Sequence, residues 1–262
     1  MTTLSHTIGD SATMLRRNLK HMLRYPSLTL MLVMIPALML LMFVYVFGST
    51  LGDGLGGASG GRAAYLSYVT PGILMMAIGG AMTGTAIGVA TDMTQGIVDR
   101  FRTMSIARVS ILTGHVIGSI IQILICVAAV FAIAFAIGYR PDAGPAEWLA
   151  LLGVLVLISF ALTWIAVALG VTAKSVETAS NTPMPFTFLP FLSSGFVPTD
   201  SMPAGLRYVA EYQPFTPFIE VIRSLLAGTA ADGTDLALTV VWSLGLALLG
   251  YLVSRAKFNQ AV

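Results

Sequence analysis

Long apolar runs recur along this chain and leave it few ways to fold. They cover roughly residues 27–47, 66–90, 111–137, 148–173 and 236–254. Each is near or above the ~20 residues that a helix needs to cross a hydrocarbon core of about 30 Å. In such a medium the backbone must satisfy its own hydrogen bonds, so these runs read as membrane-spanning helices. Composition agrees: 10% of residues are charged, against about 25% in a soluble domain, and mean hydropathy is +0.85. The expected class is an all-α polytopic membrane protein. A net charge of +2 is too small to suggest a nucleic-acid partner. The one cysteine, Cys126, lies in an apolar run, where it reads as a small buried hydrophobe and excludes an internal disulfide or a cysteine zinc cluster. The first apolar run lies behind a long polar segment and reads as a retained anchor rather than a cleaved leader.

Residues 1–26 mix Arg16, Arg17, Lys20 and Arg24 with apolar residues at helical spacing, such as Leu15, Leu19 and Met22. This predicts a cytoplasmic amphipathic interface helix, followed by one transmembrane domain over 27–262. Pro36 should kink the first span, and GSTLGDGLGGASGGR reads as a flexible loop. Gly80, Gly84 and Gly88 in the second span repeat every four residues and predict close helix packing, inside the bundle rather than at a dimer seam. Residues 183–197, with Pro183, Pro185 and Pro190, are too short and broken for an ordinary span; they are taken as a short fifth crossing. Residues 198–230 read as a re-entrant or interfacial segment of two short helices, about 202–212 and 215–226, on the far side. The last span ends at Arg255 and Lys257.

Six crossings place both termini on one side, with 10 of the 14 basic residues. The positive-inside rule makes that side cytoplasmic and the protein a multi-pass plasma-membrane protein.

The chain has no G-x-x-x-x-G-K-S/T phosphate loop and no H-E-x-x-H. His6, His21 and His115 are scattered, and His115 reads as a packed or interfacial residue rather than a ligand. The centres of the spans are almost free of ionisable groups, which disfavours an intramembrane enzyme or a proton-coupled carrier. A channel or facilitator stays open. Glu220 and Arg223, three apart on one helix, read as a structural pair of the re-entrant segment.

One short stretch stands out, QGIVDRFRTMS at residues 95–105. Ile97, Phe101 and Met104 fall at i, i+4 and i+7, with Asp99, Arg100, Arg102 and Thr103 around them. That is a short cytoplasmic amphipathic helix, either resting in lipid headgroups or docking its apolar ridge on a soluble partner. The surrounding DMTQGIVDRFRTMSIARVSILTGHVIG resembles the cytoplasmic loop of type-2 ATP-binding-cassette (ABC) exporter permeases, most of all the daunorubicin-resistance branch. Gly96, Ile97, Asp99, Arg100, Phe101, Arg102, Met104, Ile106, Arg108, Leu112, Gly114 and His115 carry the likeness, while Ser105 replaces the usual proline. YQPFTPFIEVIRSLLAG is similar to the segment before that family's last span, with Pro214, Thr216, Pro217 and Arg223 in register.

The resemblance implies a permease that binds no ATP or Mg and holds no cofactor. Two copies of a soluble ABC ATPase would hold both, and a second permease copy, identical or related, would complete the transporter in the lipid membrane. Residues 95–105, with Gln95 at their start, would be the coupling helix, and the N-terminal helix would also touch the motor. The substrate path would run between two permeases, past Met75 and Met76 of the second span and Phe186, Phe188, Phe191 and Phe196 of the fifth. Its cargo would be a hydrophobic or amphiphilic drug, antibiotic or lipid-like molecule, exported by alternating access as in multidrug efflux. An ATP-independent channel, or a membrane enzyme or assembly factor, is the competing reading. The topology makes a direct prediction. In a Cys126→Ala background, Thr103→Cys should react with an impermeant maleimide only from the cytoplasmic side, and Ser201→Cys only from outside; the reverse pattern inverts the orientation.

Overall fold

A computed structural model describes residues 16, 24, 26–56, 61–94 and 108–260. The described chain is helical throughout apart from connecting turns. The elements are α1 (Pro26–Met42), α2 (Gly48–Gly56), α3 (Arg62–Thr94), α4 (Arg108–Ala136), α5 (Pro145–Thr172), α6 (Val176–Asn181), α7 (Met184–Phe188), α8 (Ala204–Tyr212), α9 (Phe215–Leu226) and α10 (Gly233–Gln260). Five helices among the described residues are long and apolar enough to cross a membrane.

The glycine-rich stretch after the first span is the first correction. Instead of a loop from Gly48, a π-helical turn (Phe43–Phe47) carries α1 directly into α2, which ends only at Gly56. The helix continues because it packs on the start of α3. A side chain at Gly52 would collide with the Gly61 backbone, and one at Gly48 would press on Arg62. Pro36 lies within α1, which runs on through it without a break in the helix. The π turn brings Phe43 against Phe191 and Phe196, with ring centroids 6.2 and 4.9 Å apart.

α3 is the central post. From Tyr65 to Met82 nearly every side chain is buried, with Ile73, Leu74, Met75 and Ile78 at the heart of the main apolar cluster. α1, α4, α5 and the 176–196 segment surround it. α10 packs on α5, where a Cβ at Gly250 would lie 2.5 Å from the Trp164 carbonyl carbon. α1 and α10 carry broad exposed apolar faces, including Leu30, Met31, Val241, Leu244 and Leu248, as a lipid-facing surface requires. Cys126 is fully buried.

The second correction concerns the glycines. A Cβ at Gly80 or Gly84 would meet nothing within 4 Å, and at Gly88 only the His115 ring, at 3.8 Å. Among the described residues that stripe is therefore not a packing face. Close approach happens instead at Gly72, where an added Cβ would lie 2.6 Å from the Gly195 oxygen, and at Gly79, where it would lie 2.6 Å from the Phe186 oxygen. Gly72 and Gly79 lie seven residues apart, on the face of α3 that meets the 176–196 segment. A repeat of four picks out a small-residue stripe, but only the neighbours decide which side of the helix is covered.

The two short helices expected at 202–212 and 215–226 are present as α8 and α9. Gly138, at φ +104, ends the turn after α4, and Arg140 donates to the freed carbonyls of Phe135 and Tyr139 at 2.9 and 2.7 Å. Asp232 accepts from the backbone of Thr234 and Asp235 at the start of α10, and the Thr234 side chain first, then these backbone bonds, hold its carboxyl below the usual carboxylate range. Gly72→Val should cost about 1–3 kcal/mol through overpacking against the Gly195 backbone, whereas Gly84→Ala should leave the melting temperature of the detergent-purified protein unchanged. Equal losses from the two variants would refute the contact pattern.

Candidate functional site

The 176–196 segment is where the fold departs most from regular helix. α6 starts under a Ser175 cap, whose hydroxyl accepts from the Thr178 amide at 3.2 Å. α7 lasts five residues, a 3-10 turn covers Leu189–Leu192, and turns complete the stretch to Val197. Pro183, Pro185 and Pro190 lack the amides a continuous helix would use. The segment nevertheless runs antiparallel to α3 over much of that helix. Ala179 packs with Ala86 and Ala90, Phe186 meets Gly79, and Gly195 meets Gly72. That is on the order of 25 Å along α3 at about 1.5 Å per residue.

Irregular backbone among apolar helices survives only where protein groups satisfy its carbonyls. Here they do. Gln213, in the turn between α8 and α9, donates from Nε2 to the Leu189 and Leu192 carbonyls at 3.2 and 2.7 Å. Ser193 donates to Pro190 at 2.5 Å and accepts from the Gly195 amide at 3.1 Å. From α3, the Tyr65 hydroxyl donates to the Phe196 carbonyl at 3.2 Å and the Tyr68 hydroxyl to that of Ser194 at 2.8 Å. The second lone pair of Ser194 takes Arg223 Nη2 at 2.7 Å.

Arg223 joins three elements. On α9 its Nη1 donates to Glu220 Oε1 at 2.5 Å, so the two residues paired by spacing are in contact. Its guanidinium lies over the Tyr68 ring, 4.0 Å from the centroid, and also donates to the Tyr68 carbonyl at 3.3 Å. A planar guanidinium can serve these three acceptors from its rigid fork while its face lies on the ring, a geometry that a compact ammonium does not match. Sequence spacing shows the Glu220 partner only. Gln213 and the two tyrosines carried no pattern that marks them, because their partners are carbonyls 21 to 131 residues away.

The candidate path residues divide. Met75, Met76 and Phe196 are buried in the chain's own core, Phe186 and Phe191 are half-buried against it, and Phe188 is exposed. Phe191 stacks on Phe196 with centroids 4.3 Å apart. All of 95–105 (Gln95, Gly96, Ile97, Asp99, Arg100, Phe101, Arg102 and Met104 among them) lies outside the described residues, as do Arg17 and Lys20. Arg16 and Arg24 are helical and exposed.

Toward the other end of α3, Asp92 and His115 meet at 2.9 Å between Oδ2 and Nε2, with side chains only 8% and 12% exposed. His115 is a packed residue as expected, and its Asp92 partner is an addition that only the packing reveals.

Residues 11–227 match the ABC-2 type transporter family. The chain belongs to that family. It is also similar to the daunorubicin resistance ABC transporter permease protein DrrB1 of Streptomyces coeruleorubidus, with 28% identity over 255 residues, 97% of this chain and 87% of the relative. A multi-pass helical permease with phosphate-loop chemistry absent from its sequence fits both findings.

Arg223→Ala would leave the Ser194 carbonyl a donor short and Glu220 without its cation. It should destabilise the protein by about 1–3 kcal/mol, read as a lower melting temperature in nanodiscs. Arg223→Lys should recover less than half of that loss. Full recovery by lysine would show that charge alone matters.

Proposed function

We propose that this ABC-2 permease is the transmembrane subunit of an exporter that moves hydrophobic or amphiphilic molecules outward across the plasma membrane, driven by a separate ATPase. The observation that carries the reading is the family match over residues 11–227, together with the likeness to a drug-resistance permease over 97% of the chain. The broken 176–196 segment counts as a sixth crossing beside α3, which puts both termini in the cytoplasm. Residues 95–105 act as the coupling helix between α3 and α4, and the N-terminal helix lies on the membrane beside them.

Two permease copies form the path. The open positions at Gly80 and Gly84 support this, since glycines with no described neighbour let another backbone approach closely. Phe188 is the one path candidate that a single copy leaves exposed, at 56%. Alternating access would then work through α3 and the segment clamped to it, which move together because Tyr65, Tyr68 and Arg223 tie them. Energy enters as ATP and Mg held by the partner subunit.

The test is reconstitution with a soluble ABC ATPase, which a neighbouring reading frame is expected to encode. Wild type should retain the ATPase through purification, raise its ATP hydrolysis and load daunorubicin into inverted vesicles. The Asp99→Ala, Arg102→Ala double variant should insert normally yet lose most of the stimulation and uptake. ATP-independent daunorubicin flux by the permease alone would replace this reading with a facilitator.

A further inference from the structure

A buried polar pair in a membrane bundle needs a reason, and Asp92–His115 has one in its placement. Asp92 lies in the last turn of α3, which ends at Thr94, and His115 lies two turns into α4, which begins at Arg108. Their 2.9 Å contact therefore joins the two long helices near the end where the chain passes from one to the other. A second rung follows on the same seam, where the Thr85 hydroxyl donates to Ser119 Oγ at 2.8 Å, also buried. Between the rungs is Gly88, and the His115 ring lies where a larger residue at that position would press.

Simple stapling does not require an acid and a histidine. Well-packed apolar residues hold helices together as well as a buried ion pair or better, because burying charge costs desolvation. What a buried polar pair adds is a preferred register, since an axial slip of one helix past the other breaks the Asp92–His115 contact. A fixed register matters where two helices must move as one.

We infer that Asp92 and His115 form a positioning pair that fixes α3 against α4 at the motor-facing end, so that displacement from the ATPase reaches both helices together. This rests on the proposed function and assigns it two residues outside the coupling segment. The pair touches neither nucleotide nor cargo; it sets the geometry through which coupling acts.

The experiment uses the full permease with its ATPase in nanodiscs, ATP alone as the probe, and rates per mole of permease recovered. Variants are Asp92→Asn, His115→Gln, the exchange Asp92→His with His115→Asp, and Thr85→Val. All four should retain the ATPase as wild type does. Each single variant at 92 or 115 should lose at least about fivefold of the permease-dependent ATPase stimulation, the lower end for coupling between sites. The exchange should restore it to within about twofold. Thr85→Val, which removes the other rung, should lower the melting temperature and keep the stimulation. Singles that stimulate like wild type overturn the inference, as does an exchange that fails to rescue, or a Thr85→Val loss as large as theirs. Degradation of all three variants at 92 and 115 would assign the pair to stability alone and overturn it too. If wild type itself never retains or stimulates the ATPase, the proposed function fails first, a distinct result.

Discussion

A broken chain among apolar helices must find donors for its carbonyls, and the half of this molecule around the start of α3 is organised around that need. Between Leu189 and Phe196 the chain forms no continuous helix, yet it is packed against the central post α3. Five carbonyls in that stretch, those of Leu189, Pro190, Leu192, Ser194 and Phe196, are served by Gln213, Ser193, Tyr65, Tyr68 and Arg223. Each unsatisfied buried group would cost on the order of 1–3 kcal/mol. The donors come from α3, from α9, from the turn before α9 and from the segment itself, so satisfying the break also welds these elements together. The glycines at 72 and 79 are the steric half of the same arrangement, since only a missing Cβ lets the segment's backbone lie directly on α3.

The two ends of α3 then differ in kind. Near its start, hydroxyls and a guanidinium serve backbone carbonyls. Near its finish, one ionisable pair and one hydroxyl pair face each other across the seam with α4. Under the proposed function the first arrangement holds the outer part of the path and the second delivers motion to it, with α3 as the rigid member between them. Among the described residues the face of α3 that carries Gly80 and Gly84 is open, and under the proposed function it is the surface for a second copy.

Much of the bundle was legible in the sequence, for physical reasons that can be named. Hydrophobic length marks the five long helices because the bilayer sets it. Proline positions mark the break at 183–197, and Pro214 marks the start of α9. The glycine-rich stretch after Phe47 was misjudged because helix propensity is a local quantity, and packing on the start of α3 outweighed it through Gly56. The Gly80 stripe was misjudged because periodicity identifies a face without saying what covers it. In the site, Glu220 and Arg223 could be paired from spacing on one helix, but the carbonyl partners of Tyr65, Gln213 and Arg223 could not.

The sequence by itself determined that this is a helical membrane protein, and the motifs around residues 95–115 and 214–223 pointed to the ABC-2 family. Composition and the lengths of apolar runs suffice for the first, because they respond to the solvent. Only the tertiary structure decided which glycines are filled, which carbonyls Arg223 and Gln213 serve, and that Asp92 meets His115. Those are contacts between residues distant in the chain, and hydrogen bonding and steric exclusion act over a few ångströms of space rather than along the sequence.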